Sequence, residues 1–174
     1  SLSENNFLGR RKLAAVAFRM DQATFTVGPV FVDKNAFGRH LDVRLNGGPL
    51  WNRSSFETEG SQSAVTVSRP LWSLATTWGA YLEWSHRFAI ERRFIGSSLR
   101  TYDAPSTVGD DALPWSYRER TWSLGASGVR AWGDTIKHRL KFGYELASAR
   151  PTVLPDFAGS AAARADFIAD VLPR

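Results

Sequence analysis

The sequence predicts an all-β fold, an antiparallel up-and-down meander of about seven to eight strands built as a barrel wall, with a short C-terminal helix on a loop. Three observations predict it. Apolar and polar residues alternate with a period of two over runs of strand length. Gly, Pro, Asn and Asp gather between those runs, where turns need them. And one phrase is used twice: Asn6-Phe7-Leu8-Gly9-Arg10 returns as Asn35-Ala36-Phe37-Gly38-Arg39, each copy just ahead of an alternating run. The copies stand 29 positions apart (35 − 6), about one strand pair with its turns.

In chain order, the even positions Lys12, Ala14, Val16, Phe18 and Met20 are greasier than Arg11, Leu13, Ala15, Ala17 and Arg19. The next run sets Phe25, Val27, Pro29 and Phe31 against Thr24, Thr26, Gly28 and Val30, with Pro29 unable to donate to a ladder. Leu41, Val43 and Leu45 then oppose His40, Asp42, Arg44 and Asn46, so this strand must lie between water and something apolar. Asn46-Gly47-Gly48-Pro49 reads as its end, and Val65 and Val67 mark a fourth strand that stops at the Arg69-Pro70 turn.

The fifth run is long and aromatic, with Leu74, Thr76, Trp78, Ala80, Leu82 and Trp84 on one face and Gly79, Tyr81, Glu83, Ser85 and Arg87 on the other. It reaches the ~9–11 residues that a tilted strand needs to cross a bilayer. Residues 88–101 read as an extension of that strand, interrupted by Glu91-Arg92-Arg93, and 101–115 as a polar loop. Trp122, Leu124 and Ala126 alternate with Thr121, Ser123, Gly125 and Ser127. After a Gly133-Asp134 turn, Ile136, Leu140, Phe142, Tyr144 and Leu146 form a last greasy face against Lys137, Arg139, Lys141, Gly143 and Glu145. Beyond Pro151 and Pro155, Ala161, Ala165, Ile168 and Leu172 fall at helical spacing behind Ser160, a natural N-cap.

Composition narrows the function. At 174 residues the chain suits one domain with a sizeable core. It has no cysteine, which removes disulfides, thiolate metal sites and thiol nucleophiles. The net charge of +5 comes from arginines spread over nearly every segment, with no stripe and no nucleic-acid-binding motif, so no nucleic acid is expected as a partner. No segment has the ~20 consecutive apolar residues of a spanning helix, but strands of a membrane barrel would not show as such. The first residues carry no basic and apolar leader, which points to a removed signal peptide or to an internal piece.

Alternation alone leaves two arrangements open. A soluble ligand-binding barrel buries its apolar face inside, whereas an outer-membrane barrel turns it outward. Seven tryptophans, with Trp72, Trp84, Trp115 and Trp132 toward run ends, suit an interfacial girdle, and they also suit a soluble core.

The repeated phrase separates the two. Together with Val67-Ser68-Arg69-Pro70-Leu71 and Thr77-Trp78, it resembles the start of the barrel in the bacterial surface antigen superfamily, which includes the BamA and TamA assembly factors and two-partner secretion transporters. The resemblance covers residues 1 to about 146 and implies a transmembrane β-barrel in the outer membrane of a Gram-negative bacterium. It implies a periplasmic rim at the turn residues Asn6, Gly9, Arg10, Asn35, Gly38 and Arg39, with Arg69 and Pro70 in a further turn. Gly9 and Gly38 would permit tight turns there, and Asn6 and Asn35 would bond their own backbone.

On that basis Ala14, Val16, Phe18, Leu41, Val43, Leu45, Trp78, Leu82 and Trp84 would face lipid. Asp42, Arg44, Glu83, Arg87, Lys137, Arg139 and Lys141 would face the lumen. The expected task is insertion, assembly or translocation of unfolded or partly folded outer-membrane polypeptides. Residues 11–20 would be the strand template, with Arg11, Leu13, Ala15 and Ala17 on it, acting by β-augmentation.

The family's barrel has about sixteen strands behind periplasmic repeats, with a later Val-Arg-Gly-Phe or Val-Arg-Gly-Tyr loop. None of these is in this sequence, and the chain ends on Leu172-Pro173-Arg174 rather than on an aromatic-terminated strand. The expectation is therefore the N-terminal part of a barrel over residues 1–149 and a loop and helical tail over 150–174, with periplasmic repeats and a C-terminal barrel half as missing partners. The alternatives are a complete eight-stranded structural or adhesion barrel, in which residues 88–101 add the eighth strand, and a soluble ligand-binding barrel.

No enzyme, cofactor or metal is expected. His40, His86 and His138 fall on separate runs without ligand spacing, and no nucleophile-elbow pattern occurs. Gly9-Arg10 and Gly38-Arg39 precede strands, not the helices that a phosphate loop would open.

Overall fold

In the computed structural model, residues 2–7, 12–109 and 111–173 are described. The chain divides into two compact units, one of Ser1–Arg87 with Thr121–Ser148 and one of Phe88–Arg120 with Ala149–Arg174. The elements in order are β1 (Leu2–Phe7), β2 (Lys12–Met20), β3 (Thr24–Ala36), β4 (Leu41–Asn52), β5 (Thr58–Arg69) and β6 (Trp78–Arg92), then β7 (Phe94–Ile95), β8 (Ser98–Leu99), β9 (Thr101–Tyr102) and β10 (Leu113–Pro114), then β11 (Ser116–Trp132), β12 (His138–Thr152) and helix α1 (Ala161–Asp170).

Eight strands form one antiparallel meander sheet in the order β1-β2-β3-β4-β5-β6-β11-β12. β1 and β12 each have a single neighbour, so among the described residues the sheet is open. The alternation in the sequence sets the register. Ala14, Val16, Phe18 and Met20 stand opposite Phe31, Pro29, Val27 and Phe25. Phe31 in turn stands opposite Leu45, and Val43 and Leu45 opposite Val67 and Val65, so one apolar face runs across β2 to β5. A one-residue slip would send every one of these side chains to the polar face.

β1 is a strand the sequence conceals. Ser3-Glu4-Asn5-Asn6 has no alternation, yet it pairs with β2 from Leu2↔Val16 to Phe7↔Lys12, with an irregularity between Glu4 and Phe7. Asn6 therefore lies in a strand and not in a turn, and the run 12–20 is the second strand of the sheet, not the first. Gly9, Arg10 and Arg11 lie outside the described residues.

β4 does not end at Asn46-Gly47-Gly48-Pro49 but continues to Asn52, because small residues are what this crossing requires. A β-carbon on Gly28 of β3 would run into the carbonyl of Gly47, and one on Gly48 would stand 2.7 Å from the Val27 oxygen. The β3–β4 ladder skips the positions between Thr26 and Val30, where Pro29 has no N–H to give. Thr26 recovers one contact by donating from Oγ1 to the Pro49 carbonyl at 2.6 Å.

Residues 88–101 add no strand to the main sheet. β6 runs on through Glu91 and Arg92, and the chain then folds into the β7–β8 hairpin around Gly96, whose φ of 61° suits glycine. The polar loop read at 101–115 contains the short β9–β10 ladder, Tyr102 opposite Leu113.

α1 begins where Ser160 predicts, its hydroxyl accepting the Ala163 N–H at 3.1 Å. Its buried face is Ala163, Phe167 and Val171, rather than Ala161, Ala165, Ile168 and Leu172. The large ring decides the rotation of the helix: Phe167 is fully buried, with Tyr102 edge-on at 5.5 Å and Phe157 at 5.3 Å.

Candidate functional site: an exposed apolar face and two free edges

The eight-stranded sheet buries almost nothing. Within the first unit the buried apolar residues among those described are Ala36 and Leu50, and the largest fully buried side chain of the chain, Phe167, belongs to the second unit. The long apolar side chains of the sheet are open to solvent: Val16, Phe18, Leu45, Trp78, Leu82 and Trp84 are exposed, as are Trp122, Leu124, Leu140, Phe142 and Tyr144. Ala14, Leu41 and Val43, expected on the same face, are half-buried by their neighbours. A soluble monomer rarely exposes more than a few hundred Å² of contiguous apolar surface, and this face crosses seven strands.

Aromatic residues border the face at both ends. The phrase residues close the β3–β4 turn, where Asn35 accepts the Gly38 N–H on its carbonyl and the His40 N–H on Oδ1, both at 3.0 Å. Gly38 takes a φ of 68° there, and Phe37 projects into solvent. His40 stacks on Trp72 at 4.4 Å. At the same end of the meander, Trp132 stacks on His138 at 5.8 Å and the Arg130 guanidinium lies 4.8 Å from the Trp78 ring centre. At the other end Phe25 sits between Phe18 at 6.2 Å, Trp51 at 5.3 Å and Phe56 at 5.7 Å. From Trp122 to Trp132 β11 travels about 33 Å at ~3.3 Å per residue, roughly 25 Å of height at a ~40° tilt.

The opposite face is small and polar. Glu83, Arg139 and Lys141 line a hollow of about 1000 Å³ over Gly79, Gly125 and Gly143. Tyr81 donates to the Glu83 carboxylate, and Ser85 and Ser123 share a hydrogen bond at 2.9 Å. Asp42 and Arg44 face the same way on β4, opposite Ser68 and Thr66. Arg87 is half-buried, and Lys137 lies in the β11–β12 connection beside Trp72. Among the described residues no cluster of three metal-ligating side chains occurs.

The two edges differ. β12 is exposed on both faces from His138 to Ala147. β1 is six residues long, and four of its positions pair with β2, whereas eight positions pair β2 to β3. Leu13, Ala15 and Ala17, read as an open template, are thus paired to β3 opposite Val32, Val30 and Gly28, and Ser3 of β1 lies opposite Ala15. The free edge belongs to β1.

Sequence reading also missed an ion pair. Lys12 and Asp33 meet at 2.7 Å on the apolar face at the phrase end, with the Lys12 ammonium over the Phe31 ring. The signal is positional: both fall on the greasy parity of their strands.

In the second unit Trp115 is flanked by the Arg93 guanidinium at 5.4 Å and the Arg100 guanidinium at 4.1 Å. Tyr102 donates to Asp170 Oδ2 at 2.7 Å, and burial together with that carboxylate raises its phenol above the ordinary value. Asp166 accepts from the Ser106 N–H and hydroxyl, which ties α1 to the 101–114 segment.

No protein-family model, curated protein or solved structure matches this chain.

Proposed function

We propose that the sheet is part of the wall of a Gram-negative outer-membrane β-barrel, and that the barrel inserts or translocates outer-membrane polypeptides by strand addition at its β1 edge. One observation carries the membrane reading. The large apolar side chains occupy one exposed face bounded by aromatic residues, while the sheet has almost no buried core. Water penalises such a face by about 25 cal/mol per Å², and lipid does not. The strands from β2 to β12 in the sheet are 9 to 17 residues long, enough to cross.

The polypeptide-handling reading rests on the surface-antigen resemblance and on the edge. β1 is short, irregularly paired and free on one side, and a free edge offers N–H and C=O groups to an incoming strand. Lipid tolerates no unpaired edge, so in a membrane β1 and β12 each need a partner strand.

The membrane reading is tested by comparing folding in buffer with folding in phosphatidylcholine vesicles. Protease-protected β-structure that forms only with vesicles is the expected result; a fully folded chain in buffer refutes it. The edge reading is tested with Ser3→Cys, crosslinked to a cysteine in the terminal strand of an outer-membrane client. Crosslinking at the level seen for a cysteine in the β4–β5 connection, Ser54→Cys, would sink it.

A further inference from the structure

We propose that the apolar face carries a site for an anionic phospholipid, with the phosphate between Arg69 and Arg130 and one acyl chain in the groove beside them. The inference rests on the membrane reading above and adds a specific ligand to it. The groove has a volume of about 780 Å³, with Leu41, Val67, Leu82 and Phe142 as walls and Ala80 and Ala126 as floor. Ala80 and Ala126 on the adjacent strands β6 and β11 make the floor low, and the Phe142 ring occupies the space that a side chain on Gly128 would take.

The cations stand at one end of that groove. Arg69, the last residue of β5, lines it together with Trp78. Arg130, two residues before the end of β11, lies over the same Trp78 ring from the other side of β6. Among the described residues neither arginine is in an ion pair. Both therefore sit at the phrase-end margin of the apolar face, the level of the aromatic border, where a lipid headgroup would lie.

Two unpaired guanidinium groups at the mouth of an apolar groove complement an anion that carries a hydrocarbon tail. Guanidinium binds phosphate oxygens through paired N–H donors. A choline headgroup would bring an ammonium against the same two cations, so a net-negative headgroup is preferred. The position also explains how arginine is tolerated on this face, because arginine near the interface costs far less than at the midplane.

The test uses the full chain in phosphatidylcholine vesicles containing a minor fraction of either brominated phosphatidylglycerol or brominated phosphatidylcholine, read by quenching of tryptophan fluorescence. The expected result is about a tenfold preference for the anionic lipid, falling as salt rises. Arg69→Gln with Arg130→Gln should abolish the preference, and Ala126→Phe, which fills the floor and keeps both charges, should lower it. Equal quenching by the two lipids overturns the site and leaves the membrane reading standing. A preference that survives the double substitution overturns the headgroup assignment, and unchanged preference in Ala126→Phe overturns the acyl groove in favour of the rim charges alone. Quenching by neither lipid removes the membrane reading and the site with it.

Discussion

A single arginine placed at two depths on the same face separates lipid from water as the surroundings of the sheet. Leu82 is 47 % exposed and lies four residues along β6 from Trp78 at the aromatic border. At ~3.3 Å per residue and a ~40° tilt that is about 10 Å below the border, close to the middle of a ~25 Å apolar band. Leu82→Arg should then destabilise the vesicle-embedded protein by about 2–4 kcal/mol, a factor of roughly 30 to 700 in the folding equilibrium. Leu41, the first residue of β4, lies at the border, and Leu41→Arg should cost about 0–1 kcal/mol beyond its lost packing. In water Leu82→Arg, on an exposed surface, should stay near ±0.5 kcal/mol. The assay is reversible denaturant unfolding in phosphatidylcholine vesicles, followed by tryptophan emission. Equal costs at the two depths, or a Leu82→Arg cost below about 0.5 kcal/mol, would refute the reasoning.

Three further outcomes follow from the packing. Gly28→Val should prevent the sheet from assembling, because its side chain meets the Gly47 backbone, whereas Gly125→Ala, with open space around it, should leave folding yields unchanged. Phe167→Ala should loosen the second unit by about 3–5 kcal/mol, seen as rapid amide exchange in α1 without change in β2 to β5. Burial and Asp170 raise the Tyr102 phenol, so between its unfolded and folded values the folded state holds the extra proton and stability falls as pH rises. Protection of α1 should be complete below pH ~10 and decline above it, and Tyr102→Phe should remove the decline.

What the sequence displayed was the part of the fold written in side-chain parity. Ala14, Val16 and Phe18, or Leu41, Val43 and Leu45, alternate with polar or small residues along their strands, and the register keeps them on one face. β1 could not be read that way, since Ser3, Glu4 and Asn5 are polar on both parities. The continuation of β4 through Gly47-Gly48-Pro49 was hidden because a turn and a close strand crossing ask for the same small residues; Gly28 on the neighbouring strand decides between them, and no single-strand pattern contains it. The rotation of α1 failed for a related reason: two alanine-rich stripes are nearly equivalent until Phe157, just before the helix, and Tyr102, far off in sequence, select the one carrying Phe167.

The repeated phrase acquires a more limited meaning from this. Its second copy closes a turn in which Asn35 accepts the Gly38 and His40 N–H groups, but the first begins inside a strand that pairs alongside the run it was read as launching. In a meander, the end of β1 and the β3–β4 connection stand at the same end of the sheet, so Asn6 and Asn35 lie toward one end. What moves is the edge. A strand joining the sheet at β2 would have to displace β1, whereas one joining at β1 meets a six-residue ladder whose own hold on β2 is half the length of the β2–β3 pairing. In the proposed barrel a short, polar edge strand both limits how tightly the wall can seal there and keeps the template free of the apolar stripe that would bind any hydrophobic strand without regard to register.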